Sequence, residues 1–137
     1  MFDWKGKRDT SMRVSVVIPA HNEASTLSQV LVEVEKLKPY EIIVVENNST
    51  NPDTFAYYDT LKKYPNLRIV EWLDAFHYPK INHFGISFAK GEYLILLNND
   101  TEIITPDWME ELLSHCQRAE VGITGSKLYY PDDKIQH

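Results

Sequence analysis

Three oxygen-bearing side chains, Asn98, Asn99 and Asp100, follow directly on the apolar run Tyr93-Leu94-Ile95-Leu96-Leu97. The run has the length and content of a strand buried on both faces. The triplet therefore sits where a strand leaves a sheet, the edge at which open α/β sheets bind ligands. One carboxylate flanked by amide oxygens suits a hard divalent cation, above all one shared with a phosphate. The same residue types also favour ordinary turns. Taken alone, the triplet is compatible with either a turn or a metal–phosphate site.

The elements that must position it alternate along the chain. Residues 14–18 and 41–45 are β-branched runs, and 67–72 reads as a third strand before the run at 93–97. Between them lie helical patterns. Over 24–38, Leu27, Val30, Leu31, Val34 and Leu37 recur at spacings of three and four, with Asn22 as a cap and Pro39 as the stop. Asn51-Pro52 opens a helix whose apolar face is Phe55, Tyr58 and Leu61. Residues 79–89 carry Ile81, Phe84 and Phe88 on one face, with Gly91 as the closing signal. Thr105-Pro106-Asp107 starts a helix burying Trp108, Met109, Leu112, Leu113 and Cys116. Residues 121–130 complete the pattern as a fifth strand, made irregular by Gly122 and Gly125. The order β-α-β-α-β-α-β-α-β predicts a three-layer α/β/α sandwich with a mostly parallel sheet.

In such a sheet the strands' carboxyl ends share one edge. Ala20-His21-Asn22-Glu23, Glu46-Asn47-Asn48-Ser49-Thr50 and Asn98-Asn99-Asp100 then converge on one crevice. Each loop separately could be capping or turn chemistry; their joint occurrence points to a nucleotide site. Neither a Gly-x-Gly-x-x-Gly nor a Gly-x-x-x-x-Gly-Lys cradle is present. Positive charge for a phosphate must come from elsewhere, and a metal on Asp100 would supply it.

Four segments resemble a known family. Val-Ser-Val-Val-Ile-Pro-Ala-His-Asn-Glu-Ala at 14–24 looks like the opening strand and loop of the family 2 inverting glycosyltransferases, which have the GT-A fold. Glu-Ile-Ile-Val-Val-Glu-Asn-Asn-Ser-Thr-Asn at 41–51 resembles their second strand, residues 80–94 their lead into the metal-binding strand, and Leu-Asn-Asn-Asp at 97–100 their Asp-x-Asp motif. The resemblance implies a nucleotide-diphosphate sugar donor and Mg2+ or Mn2+. By position it places Pro19, Asn22, Glu23, Glu46, Asn48, Lys80, Asn98 and Asn99 at the donor, and Asp100 with Asn98 at the metal. Glu46 and Asn98 each replace the family's usual Asp, and His83 its usual Asn. The segment in which the family carries its general base is not represented, so no catalytic residue is assigned; Asp132 and Asp133 read as a turn. The domain expected over 14–137 is thus an apparently truncated nucleotide-sugar-binding domain, preceded by a flexible lead-in over 1–13.

Composition sets the remaining bounds. A net charge of −6 without a clustered basic stretch outside the N-terminus disfavours nucleic acid. The single cysteine excludes an intrachain disulfide and a cysteine zinc site. No apolar run approaches the roughly 20 residues that span a bilayer. The expected setting is the cytoplasm, with peripheral association at the inner membrane face compatible with Phe2 and Trp4 among Lys5, Lys7 and Arg8. The expected activity is metal-dependent, inverting sugar transfer to an acceptor hydroxyl in cell-wall or polysaccharide biosynthesis. A non-catalytic or incomplete nucleotide-sugar-binding module is the alternative. A response-regulator-like domain is disfavoured, since Val70-Glu71-Trp72 lacks the expected Asp.

Overall fold

The computed structural model describes residues 12–136. The expected lead-in lies outside the described residues, except for Met12 and Arg13, and so does His137. Residues 12–103 form one compact unit and 104–136 another.

The first unit holds β1 (Val14–Ala20), α1 (Ala24–Lys36), β2 (Glu41–Glu46), α2 (Pro52–Leu61), β3 (Leu67–Glu71), α3 (Tyr78–Ile86) and β4 (Tyr93–Leu96). Its sheet is parallel throughout, in the order β3-β2-β1-β4. Right-handed crossovers account for the layering. The steps β1 to β2 and β2 to β3 run in one direction and place α1 and α2 on one face, where they touch. The step from β3 back to β4 runs the other way, so α3 crosses β1 and β2 on the opposite face. There Val17, Ile43, Val45 and Ile81 form a fully buried cluster, flanked by Trp72, Phe84 and Phe88. The reversal of direction beside β1 makes a topological switch point, with its crevice at the carboxyl ends of β1 and β4.

The amino ends are tied by one buried carboxylate. Glu41 accepts from Ser15 Oγ at 2.7 Å, from the Lys90 backbone N–H and from Arg68 Nη2 at 2.6 Å. Gly91 lies against β1, where its N–H donates to Ser15 Oγ at 2.8 Å and an added Cβ would stand 2.7 Å from the Ser15 nitrogen. That close approach explains Gly91; α3 ends at Ile86, short of the closing position expected for it.

Several expectations are corrected. The strand at 93–97 is not buried on both faces: β4 is an edge strand, and Leu94 and Leu96 remain 46% and 44% exposed because α3 covers β1 and β2 instead. Asn22 does not cap α1; Glu23 holds the cap position without a side-chain cap, and Asn22 has a left-handed φ of 52°. On α2, Asn51 caps as expected, accepting from Asp53 N at 3.0 Å, but Thr54 is buried where Phe55 was expected and Phe55 is exposed.

In the second unit, α4 (Trp108–Cys116) starts after Asp107, so Thr105 is not its cap. Met109 and Leu113 form its buried side. The fifth strand expected over 121–130 is absent; only an isolated antiparallel bridge, Tyr129 to Ile135, is present. A strand needs a paired neighbour, and Ile123, Tyr129 and Tyr130 are exposed instead.

Candidate functional site

The crevice at the switch point holds a cavity of about 260 Å³, lined entirely from the first unit. The end of β1 contributes Pro19, Ala20, His21 and Glu23, and the end of β2 contributes Asn47. Beyond β4, Asn98, Asn99 and Asp100 form a third wall, while Phe76 and Tyr78 close the side next to α3. Both aromatics keep substantial exposure, 61% and 45%, so their rings are accessible to a flat partner.

Of the residues expected at a donor, Pro19, Glu23, Asn98, Asn99 and Asp100 are brought together here. Asn22, Glu46, Asn48 and Lys80 are not among the lining residues. Lys80 is exposed on α3. Glu46 is buried, and its carboxylate is turned to the protein: it accepts from the Ser49 backbone N–H, from Ser49 Oγ at 2.7 Å and from the Tyr58 hydroxyl at 2.5 Å. Burial, and then donation to Glu46, pushes the Tyr58 phenol far above its ordinary value, so the hydroxyl stays a donor. The extra methylene of Glu over Asp gives the carboxylate the reach for both partners.

Asn47 was expected near the crevice only as part of its loop, not as a site residue. It is buried; its Nδ2 donates to the backbone oxygens of Trp72 at 3.0 Å and Asp74 at 2.9 Å. Its own carbonyl lies 2.6 Å from His21 Nδ1. A carbonyl only accepts, so His21 carries a proton on Nδ1. The available signal was position: Asn47 is the first residue after β2, as Asn98 follows closely on β4.

The lining contains two carboxylates, Glu23 and Asp100, and neither Lys nor Arg. A phosphate could not be accommodated here by the protein's own permanent charge. The donor atoms of Asp100, Asn98 and Glu23 are oxygens, the set that hard divalent ions prefer. Among the described residues no group of three or more His, Cys, Asp or Glu gathers into an all-protein metal cage. The oxygen set fits an ion that keeps water and phosphate as its other ligands.

The family model described as glycosyl transferase family 2 matches residues 15–137. The chain belongs to glycosyltransferase family 2. Among its family relatives is the O-antigen biosynthesis protein RfbC of Myxococcus xanthus, 38% identical over 130 residues, covering 91% of this chain and 10% of that protein. The poly(ribitol-phosphate) beta-glucosyltransferase of Bacillus spizizenii is 32% identical over 97 residues, covering 67% and 15%. The glucosyl-3-phosphoglycerate synthase of Mycobacterium tuberculosis, solved with Mn2+, uridine diphosphate and phosphoglyceric acid, superposes with a TM-score of 0.65 at 20% identity, covering 80% and 40%. That likeness establishes the GT-A fold. The chain spans 10% and 15% of the length of the two sequence relatives named above and 40% of that structure's chain. No helix among the described residues is long and apolar enough to cross a membrane.

Proposed function

We propose that the first unit is the donor-binding part of a metal-dependent glycosyltransferase that uses a nucleotide-diphosphate sugar and inverts the sugar's configuration. One observation carries the reading: the switch-point cavity presents Asp100 and Asn98 on one wall and exposed aromatic rings on another, with no Lys or Arg between. Phe76 and Tyr78 suit the flat base, and Pro19 with Asn47 bounds it. Asp100 and Asn98 would hold Mg2+ or Mn2+ against the diphosphate, while Glu23 orients the same wall. Such a cation, when bound, neutralises charge developing on the leaving diphosphate. Lys80 remains available to an approaching donor as a long exposed cation.

Inversion needs a base to deprotonate the acceptor hydroxyl. Asp132 lies in an exposed turn, where its carboxylate is engaged by Lys134 at 2.7 Å. The acceptor is a saccharide by analogy with the O-antigen and poly(ribitol-phosphate) relatives. A cytoplasmic setting, with or without peripheral attachment to a membrane face, follows from a soluble nucleotide donor.

Calorimetric titration of uridine, thymidine and guanosine diphosphates, with MnCl2, MgCl2 or neither, tests the reading. The expected result is binding to at least one of them that strengthens with metal, and a loss of about tenfold or more of that gain in Asp100→Ala. Metal-strengthened binding that survives Asp100→Ala removes the metal assignment; a folded chain that binds none of the nucleotides removes the donor reading.

A further inference from the structure

Asn22 and Asn48, the two asparagines that the family resemblance placed at the donor, are not among the cavity's lining residues and make hydrogen bonds of their own. Both have a left-handed φ of 52°, a conformation asparagine tolerates better than most residues. Asn22 Oδ1 accepts from the backbone N–H groups of Thr50 at 2.8 Å and Asn51 at 2.9 Å. Its own N–H donates to Ser49 Oγ at 2.9 Å. The loop after β1 is thereby fastened to the loop after β2. Asn48 Nδ2 donates to the backbone oxygens of Leu73 and Asp74, both at 3.1 Å. The loop after β2 is thereby fastened to the loop after β3, which carries Phe76.

The two fastenings have opposite polarity. Asn22 meets two N–H donors and must present oxygen. Asn48 meets two carbonyl oxygens and must present N–H. Held between them are the two cavity residues His21 and Asn47, joined by the 2.6 Å contact described above.

We propose that Asn22 and Asn48 are positioning residues for the donor cavity, Asn22 through its acceptor oxygen and Asn48 through its donor amide. The inference rests on the donor reading above for its functional meaning, and on the loop geometry for its substance. Polarity makes it testable, because aspartate keeps the oxygen and loses the amide while adding the same charge at either position. Asn22→Asp preserves the acceptor for Thr50 and Asn51 and gives up only the longer contacts of Nδ2 with Thr50 Oγ1 at 3.4 Å and His21 Nε2 at 3.3 Å. Asn48→Asp faces a carboxylate to two carbonyl oxygens.

The test uses the 137-residue chain with Asn22→Ala, Asn22→Asp, Asn48→Gly and Asn48→Asp, each checked for a cooperative thermal transition. Two quantities are read: amide hydrogen exchange at Thr50 and Asn51 without ligand, and the affinity for uridine diphosphate with MnCl2. In Asn22→Ala both amides exchange about tenfold faster or more, and affinity falls by about tenfold. Asn22→Asp stays within about threefold of wild type on both measures, whereas Asn48→Asp loses about tenfold in affinity. Asn48→Gly, which keeps the backbone conformation, loses less than Asn48→Asp. Equal effects of the two aspartates would show that added charge alone governs affinity and overturn the proposal. So would unchanged exchange at Thr50 and Asn51 in Asn22→Ala. If wild type binds no diphosphate while the exchange pattern follows expectation, the donor reading fails and the fastening of the loops stands.

Discussion

Glu46 is buried at the end of β2. Its carboxylate accepts from Ser49 and Tyr58 beneath the cavity's edge, so it braces the loop after β2. Tyr58→Phe removes one donor to a buried charged acceptor and should lower unfolding stability by about 1.5–3 kcal/mol in urea titration. The same substitution should leave the metal dependence of nucleotide binding intact, because Asp100 is untouched. The place of Asp100 and Asn98 on the cavity wall was legible because they follow a recognisable strand, and strand ends in this fold class face the ligand edge. Glu46 also follows a recognisable strand, yet its partners could not be read. Tyr58 comes to it from a separate helix, and which side of the loop a carboxylate turns to is a packing outcome. Asn47 was hidden for the same reason, since its neighbours are backbone oxygens of Trp72 and Asp74 far along the chain.

Elements carry their own predictions. Helix α3 approaches the sheet most closely at Gly85, where an added Cβ would stand 2.5 Å from Val17 Cγ1 and 2.7 Å from Val45 Cγ2. Gly85→Ala should therefore destabilise the fold by about 1–3 kcal/mol despite alanine's better helix propensity, as read by thermal or urea unfolding. At the amino edge, Glu41 gathers β1, β3 and the approach to β4 around one carboxylate. Burial alone would raise its pKa; the Lys90 N–H, the Ser15 hydroxyl and the Arg68 guanidinium outweigh burial and hold it below its ordinary 4.5. A depressed folded-state pKa means the stabilisation is fully present above the ordinary value and is lost as pH falls through the lowered one. The acid limb of the stability curve below about pH 4.5 should accordingly flatten in Glu41→Gln. Strands β1 to β4 were legible in sequence because each is a short apolar run bounded by turn residues. The fifth was misread because residues 121–130 have strand composition but, among the described residues, pair only through the Tyr129–Ile135 bridge, and pairing is not written in a segment's own residues.

At the scale of the whole chain, the net charge is −6, and the cavity's lining carries Glu23 and Asp100 with neither Lys nor Arg. Charge does not protect every part of it equally. Among the described residues β4 pairs with β1 alone, it carries no Lys or Pro, and Leu94 and Leu96 stand half uncovered. The isolated chain should consequently behave as a poor colloid. Concentrated solutions should turn turbid and scatter light more strongly as salt weakens repulsion between the acidic surfaces. Replacing Leu94 and Leu96 together by lysine should raise the concentration at which turbidity sets in, with the circular dichroism spectrum unchanged. Turbidity indifferent to that double substitution would place the stickiness elsewhere on the chain. The solubility of this polypeptide should then be set by the four residues of β4, beside the cavity.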